Sequence, residues 1–325
     1  MRRRAILAAS GAVLAAIATR ALPQASKSRR IAFLHPGTQA GSQPLLDVFR
    51  MALKDFGHIE GRDIVIEVRW ADGRTDRLSL LATEAVSAKP FLIVTASSEA
   101  VAVFKKATAT IPIVFATAGD PVEQGFIHSF ARPGGNVTGV ATHSDLNAKI
   151  VEVIREALPS ARRLAVLVHD RDGYHRIVLE GFEPAARRFK FEPVVVRVAR
   201  VEDLEHAFKE LADHKADAVY TPNLALLTTN RDTIVKLALK ARLPQFSINP
   251  DIAAAGGLLS YGPPREEHYR RAAALVDKIL RGSKPGDLPV EQPERFHLIV
   301  NKKTARAIGV TLSPVTMLRA DRIIE

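Results

Sequence analysis

A chain of 325 residues is long enough for about two domains, and its 47% hydrophobic content excludes a disordered or low-complexity class. The absence of cysteine excludes disulfides, thiolate metal sites, a cysteine nucleophile and a lipid-anchoring cysteine. The net charge of +11 comes from basic residues scattered among acids, as in Arg265-Glu266-Glu267, with no basic run interleaved with aromatics, so no nucleic-acid partner is expected.

The chain opens on Met1-Arg2-Arg3-Arg4, followed by an apolar, small-residue run over 5–18 that Arg20 ends. This is the layout of a secretory signal peptide over residues 1–25, too short to span a membrane comfortably. The paired arginines also permit twin-arginine export. Removing residues 1–25 takes away Arg2, Arg3, Arg4 and Arg20 and no acid, which lowers +11 by four to +7. The expectation is a periplasmic protein without a lipid anchor.

From Arg30 the hydrophobic pattern alternates between the period of a strand and that of a helix. Residues 31–34 read as a strand, and a polar loop follows over 35–43. The next helix carries Leu45, Phe49, Ala52, Leu53 and Phe56 on one face, with Gly57 as its stop. Strands are predicted over 64–68, 91–94 and 111–116, with helices over 74–88 and from Ser97 or Ser98 to about 107. Asp120-Pro121-Val122-Glu123 has the residues of a helix start: Asp as cap, Pro in the first position, Glu in the third. The window 119–139 is rich in glycine and proline and reads as a crossing between two lobes, with Asn136 to Gly139 as the bend.

The alternation then resumes. Helices are predicted over 145–157, 174–189 (broken or kinked at Pro184), and around 204–211 and 234–238. Strands are predicted over 164–168, 194–198, 216–220 and 244–247. Gly256 to Gly262 is a second glycine-flanked crossing, followed by a long helix over 265–280, a proline-bearing linker over 285–293, a strand over 296–300 and a helix over 302–308. Repeated strand–helix–strand units imply parallel sheets with right-handed crossovers. The fold class expected is α/β, with two Rossmann-like parallel-sheet lobes. There is no repeat at a period of about 20 to 50 residues.

Catalytic signatures are missing. Gly134-Gly135-Asn136-Val137-Thr138-Gly139 continues into Val140 and Ala141 where a P-loop needs Lys and Ser or Thr. No strand is followed by G-x-G-x-x-G, and neither a G-x-S-x-G elbow nor H-E-x-x-H occurs. His35, His169 and His175 lack metal-ligand spacing on one helix and read as loop or surface histidines. No catalytic residue, metal or cofactor is expected.

The sequence does supply short polar loops at predicted strand C-termini. In open parallel sheets ligands bind beyond those ends, where helix N-termini offer free N–H groups. The candidate ligand-binding residues on these loops are Thr38, Ser97, Ser98, Gly119, Asp120, Asp170, Thr221, Asn223 and Asn249, with Tyr261 in the second crossing.

Several strings resemble one family when taken together. They are Gly61 with Trp70-Ala71-Asp72-Gly73, Ile111-Pro112-Ile113-Val114-Phe115-Ala116, Gly119-Asp120-Pro121-Val122 and Ala131-Arg132-Pro133-Gly134-Gly135-Asn136-Val137-Thr138-Gly139. Leu259-Ser260-Tyr261-Gly262, Tyr269-Arg270-Arg271-Ala272, Asp277-Lys278-Ile279-Leu280-Arg281-Gly282, Leu288-Pro289-Val290-Glu291-Gln292-Pro293 and Ala320-Asp321 complete the set. In order and over nearly the whole chain they resemble the ABC-transporter substrate-binding proteins related to tryptophan-binding lipoproteins.

The resemblance implies a type I periplasmic-binding-protein fold with a multi-segment hinge and one small ligand between the lobes. Its lobes would be residues 30–136 plus 263–285, and 137–262 plus 286–325. In the family the last three residues matching Ala96-Ser97-Ser98-Glu99 usually read Gly-Thr-Pro; here Ser98 keeps a hydroxyl and Glu99 replaces proline. The implied function is non-enzymatic: capture of a small ligand, amino-acid or aromatic and carboxylate-bearing, for a membrane permease and its ATPase subunit, by a monomer. A ligand sensor of the same fold feeding a signalling partner is the alternative.

Overall fold

The computed structural model describes residues 28–142, 145–170 and 172–325. The leader expected over 1–25 lies outside the described residues, as does Arg171 of the 169–175 loop.

The first sheet is built from β1 (Arg29–His35), β2 (Ile64–Trp70), β3 (Leu92–Thr95), β4 (Ile113–Ala118) and β5 (Val137–Ala141), in the order β2-β1-β3-β4-β5. All of its pairings are parallel. Between the strands run α1 (Gln39–Asp55), α2 (Leu78–Ser87) and α3 (Ser98–Ala107). The near-continuous apolar run of β1 follows from burial on both faces. Ile31 and Phe33 pack with Leu45 and Phe49 of α1, while Ala32 and Leu34 pack with Ala82 of α2 and Phe104 of α3. Successive side chains of a strand point to opposite faces, so a strand covered by helices on both sides has no polar position to spare.

The second lobe begins with α4 (Leu146–Ala157), β6 (Arg163–Val168), α5 (His175–Arg188), β7 (Glu192–Arg197), α6 (Leu204–Asp213) and β8 (Ala218–Thr221). It continues with α7 (Ala225–Thr229), α8 (Arg231–Lys240), β9 (Gln245–Ser247), α9 (Pro250–Ala255) and β10 (Leu259–Gly262). After α10 (Arg265–Leu280) come β11 (His297–Asn301), α11 (Lys302–Ile308), α12 (Pro314–Arg319) and β12 (Arg322–Ile324). The sheet order is β12-β11-β10-β9-β8-β6-β7, parallel except where β10 meets β11. The two parallel-sheet lobes are the α/β class expected.

Helix α10 follows a strand of the second sheet but packs against α1, β4 and β5 of the first lobe. Tyr269, Ala272, Val276 and Ile279 are its buried face there. Residues 288–291 also stay with the first lobe: Ala141 donates its N–H to the Glu291 carbonyl (2.8 Å), and Glu291 donates to Gly139 (3.0 Å). The chain therefore passes between lobes after β5, between β10 and α10, and again before β11.

This moves the expected division of the lobes. Residues 137–141, assigned above to the second lobe and overlapping the bend expected over 136–139, form β5, fully buried beside β4. The Thr138 hydroxyl donates to the Leu288 carbonyl (2.9 Å), and the Asn136 amide donates to that of Ile111 (2.8 Å). Gly139 is glycine because a Cβ there would lie 2.2 Å from the Phe115 carbonyl oxygen. Asn136 to Gly139 is thus a packed strand entry, and the crossing lies beyond Ala141. Residues 286–291 likewise belong with the first sheet.

Two other local expectations differ. Asp120 accepts N–H bonds from Val122 (3.2 Å) and Glu123 (3.1 Å), but residues 121–125 close as turns and no helix forms. Gly125, at φ 68°, ends them. Helix α5 runs on through Pro184, held on both sides by buried Phe182, Ala185 and Ala186.

Candidate functional site

The C-terminal ends of both sheets face each other across a narrow cleft, with about 70 Å³ of space open to the centre of a water molecule. The lobes touch around it. A Cβ added at Gly119 would lie 2.0 Å from Tyr174 of the second lobe, and one added at Gly73 would lie 2.5 Å from Thr229. Arg176 reaches Glu123 at 3.2 Å. The arrangement is closed.

The middle of the cleft is the β3–α3 loop facing the β8–α7 loop. Ser97 holds φ 85° and ψ 147°, a conformation nearly restricted to glycine. This is the residue where the family resemblance expects glycine. Its N–H donates to the Thr117 carbonyl (2.8 Å), and its hydroxyl caps α3 by accepting from Ala100 (3.3 Å). The Ser98 hydroxyl accepts from the Gly119 N–H (3.1 Å) and the Gln124 amide (3.0 Å), bracing two loops.

At one end the cleft is lined by Thr142, Asp172 and Tyr174. Tyr174 is fixed by Asn147, which donates to its oxygen (3.3 Å) and accepts from Tyr220 (2.7 Å). Asp172 accepts the Tyr174 N–H (2.9 Å). Behind it stands Glu99 of the first lobe, whose Oε1 lies 3.6 Å from His169 Nδ1. Donor atoms of Glu99, His169 and Asp172 all lie within 4.8 Å of one another. Burial, and then the Asp172 charge, push Glu99 up to about 8. Burial pushes Asp172 up to about 6, against the pull of the Tyr174 and Ala225 N–H groups and His175. Two carboxylates and an imidazole are a donor set that a divalent metal accepts. The Asp172 carboxylate is already engaged by backbone N–H groups, so the cluster is better suited to holding a proton.

At the other end lie His35, Asn249, Arg265, His268 and Tyr269. His35 Nδ1 accepts the Gly37 N–H at 2.9 Å, which puts its proton on Nε2. Burial, with Arg265 nearby, lowers His35 to about 3; burial, with Arg265 and Arg271, does the same to His268. Both are neutral at physiological pH. Burial raises the Tyr269 phenol to about 12, partly offset by Arg265.

Of the residues singled out from sequence, Ser97, Ser98, Gly119, Asn223 and Asn249 line this cleft. Thr38 caps α1 at the exposed edge of an adjoining opening, where Arg231 of the second lobe also lies. Asp120 sits in its turn beside the cleft, outside its lining, and Asp170 is exposed. The Thr221 hydroxyl is spent inside the second sheet, donating to the Phe246 carbonyl (3.2 Å) and accepting from Gln245 (3.1 Å). Tyr261 stacks on Phe296 with ring centroids 5.8 Å apart, away from the cleft. His35 and His169, read above as loop or surface histidines, are buried at 5% and 1% exposure because their strands end under the opposing lobe. Sequence reasoning passed over Arg265, His268 and Tyr269. His268 and Tyr269 fall on the buried stripe of α10 and look like core positions.

A family model described as ABC transporter substrate binding protein matches residues 35–324. A tyrosine-binding protein of Clostridioides difficile is 26% identical over 262 residues, covering 81% of this chain and 75% of that protein. A solved domain in complex with L-Trp from Streptococcus pneumoniae superposes with a TM-score of 0.85 at 20% identity, covering 92% of this chain and 100% of that one. A conserved domain protein from Vibrio cholerae superposes with a TM-score of 0.86 at 24% identity, covering 91% and 100%. Among the described residues no helix is long and apolar enough to cross a membrane.

Proposed function

The chain belongs to the ABC transporter substrate binding protein family, and on that premise we propose that it captures a small amino-acid-like ligand between its lobes for uptake through a membrane permease and its ATPase. The observation that carries this reading is a closed interlobe cleft walled by strand-end loops of both sheets, with buried polar side chains turned into it. Relatives named for binding tyrosine and L-Trp support an aromatic amino acid as the ligand class.

The mechanism is a shift of population. Contacts such as Gly119 on Tyr174 and Glu99 by His169 exist only when the lobes meet. A ligand that touches both walls adds differential binding to the closed state and pulls the equilibrium toward it. The protein works in the periplasm as a monomer, exported by its leader, and catalyses no reaction.

The test is elution of ligand from natively purified protein with identification by mass, then thermal shift against amino acids and aromatic acids. A ligand at about 100 times its Kd stabilises by about 2.7 kcal/mol. No eluted compound and no shift with any small solute would overturn the reading.

A further inference from the structure

We infer that the end of the cleft formed by Asn249, His268, Tyr269 and Arg265 is a subsite for a hydrogen-bond acceptor at the far end of the ligand, so that the solute is an amino acid whose side chain ends in a phenol or carboxylate. This inference rests on the binding-protein reading and specifies its ligand.

The walls of this end are built and buried. Asn249 is 3% exposed and His268 is 4% exposed. Asn249 Nδ2 and His268 Nε2 are both buried and meet no hydrogen-bond partner among the described residues. Buried polar atoms without partners are costly, by about 1–3 kcal/mol each, and mark a place that a ligand or water completes. The opposite atom of the Asn249 amide is used: its Oδ1 caps α9 by accepting from Asp251 (3.0 Å), which fixes the amide so that its NH₂ remains to serve the cleft.

The neighbours add donors. Arg265 pairs with Asp251, but a guanidinium has five N–H bonds and one carboxylate does not exhaust them. The Tyr269 phenol stays protonated, and the His35 proton is on Nε2. Donors therefore outnumber acceptors here, which fits an oxygen-bearing group.

The other end has the opposite character, with Asp172 lining it. In the second sheet β8 separates β9 from β6, and in the first β3 separates β1 from β4. With neighbouring strands about 4.8 Å apart, the two ends are on the order of 10 Å apart. An α-ammonium and its own carboxylate are too close together to bridge that span. An α-ammonium against Asp172 and a para substituent of an aromatic ring reach it, with a hydrogen bond at each end. An indole, which ends in a donor, would leave the Asn249 amide and the guanidinium without acceptors.

The test is calorimetric titration of the purified protein with L-tyrosine, 4-carboxy-L-phenylalanine, L-phenylalanine and L-tryptophan. Expected is binding of L-tyrosine or the carboxy analogue at least about tenfold tighter than L-phenylalanine and L-tryptophan. Asn249→Asp keeps the α9 cap but exchanges the donor for an acceptor, and Tyr269→Phe removes one donor without changing shape. Each should shrink the preference over L-phenylalanine to within about threefold. Equal binding of L-phenylalanine and L-tyrosine by the parent, or a preference surviving in both variants, would overturn the subsite while leaving the binding-protein reading intact. Saturable binding confined to solutes without a distal acceptor would do the same. Failure of every solute to bind would remove both.

Discussion

Gly119→Ala should act as a wedge between the lobes. The added Cβ would stand 2.0 Å from Tyr174 Cε2, 2.3 Å from Cζ and 2.4 Å from Cδ2. Carbon atoms rest at about 3.5–4.0 Å, so the ring must retreat by about 1.5 Å. It has little freedom to do so inside its own lobe, being 4% exposed and tied to Asn147 at 3.3 Å. Gly119 follows β4 of the first lobe and Tyr174 precedes α5 of the second, so the strain is relieved by parting the lobes. Overpacking of this kind costs about 1–3 kcal/mol. Charged to the closed state alone, it weakens ligand binding by about 5- to 150-fold. Titration calorimetry reads the affinity, and scanning calorimetry of the ligand-free protein reads stability, which should stay within about 1 °C because the open form lacks the contact. Gly139→Ala is the contrast. Its Cβ would meet the Phe115 carbonyl at 2.2 Å inside one sheet, so it should lower the unfolding temperature of the free protein. If Gly119→Ala lowers free-protein stability while sparing affinity, the closed-state contact is not what sets binding.

Closure should take up a proton. Glu99 rises from the ordinary 4.5 to about 8 where the lobes meet, so the closed form binds the proton more tightly than the open form. The sign follows: closure is unhindered at low pH and is progressively lost as pH rises toward about 8. Affinity for a zwitterionic amino acid should then be level below about pH 4.5, fall by up to about tenfold per pH unit between about 4.5 and 8, and level off above. Glu99→Gln should flatten the profile; an unchanged slope would refute the assignment. Ser97→Gly should stabilise the free protein by about 1 kcal/mol, since it releases a positive-φ residue and costs only a few tenths in capping; thermal unfolding no higher than the parent's would show that the loop is unstrained. Asn147→Ala strands the Tyr220 phenol in the core, while Tyr174 keeps Thr142, and should cost about 1–3 kcal/mol in urea unfolding. Adding Tyr220→Phe to it should recover part of that loss.

The elements easiest to read were those whose local pattern and tertiary place agree. Helix α10 (Arg265–Leu280) and helix α11 (Lys302–Ile308) have the bounds their periodicity implies. β5 was hidden because Gly134, Gly135 and Gly139 announce a turn, while the fact that decides it is tertiary: β4 and residues 288–291 flank the segment and absorb its hydrogen bonds. Asp120 carried every mark of a helix cap. The turn prevails there because the Gln124 side chain closes back on Ser98 and on the carbonyls of Gly119 and Asp120. Short helix α9 was legible in principle, since Asn249-Pro250-Asp251 is a cap, a first-turn proline and an acid in order.

The cleft divides along the same line. Residues that follow a strand end, such as Ser98, Asn223 and Asn249, were reachable from the rule that parallel sheets bind at their carboxyl edges. Arg265, His268 and Tyr269 were not, because α10 stands at the cleft only through its return from the second sheet to the first. On a helical wheel His268 and Tyr269 share the stripe of Ala272 and Val276, and nothing local separates a core position from one that ends in a cavity. The distinction is tertiary: His268 and Tyr269, in the first turn of the helix, line the space the second lobe closes, although Tyr269 also packs into the first-lobe core. A first-lobe helix entered from the second sheet is therefore the element by which ligand contacts and lobe position become one quantity. A donor on its first turn that meets an acceptor on the solute also fixes the end of the helix beside the β10 crossing.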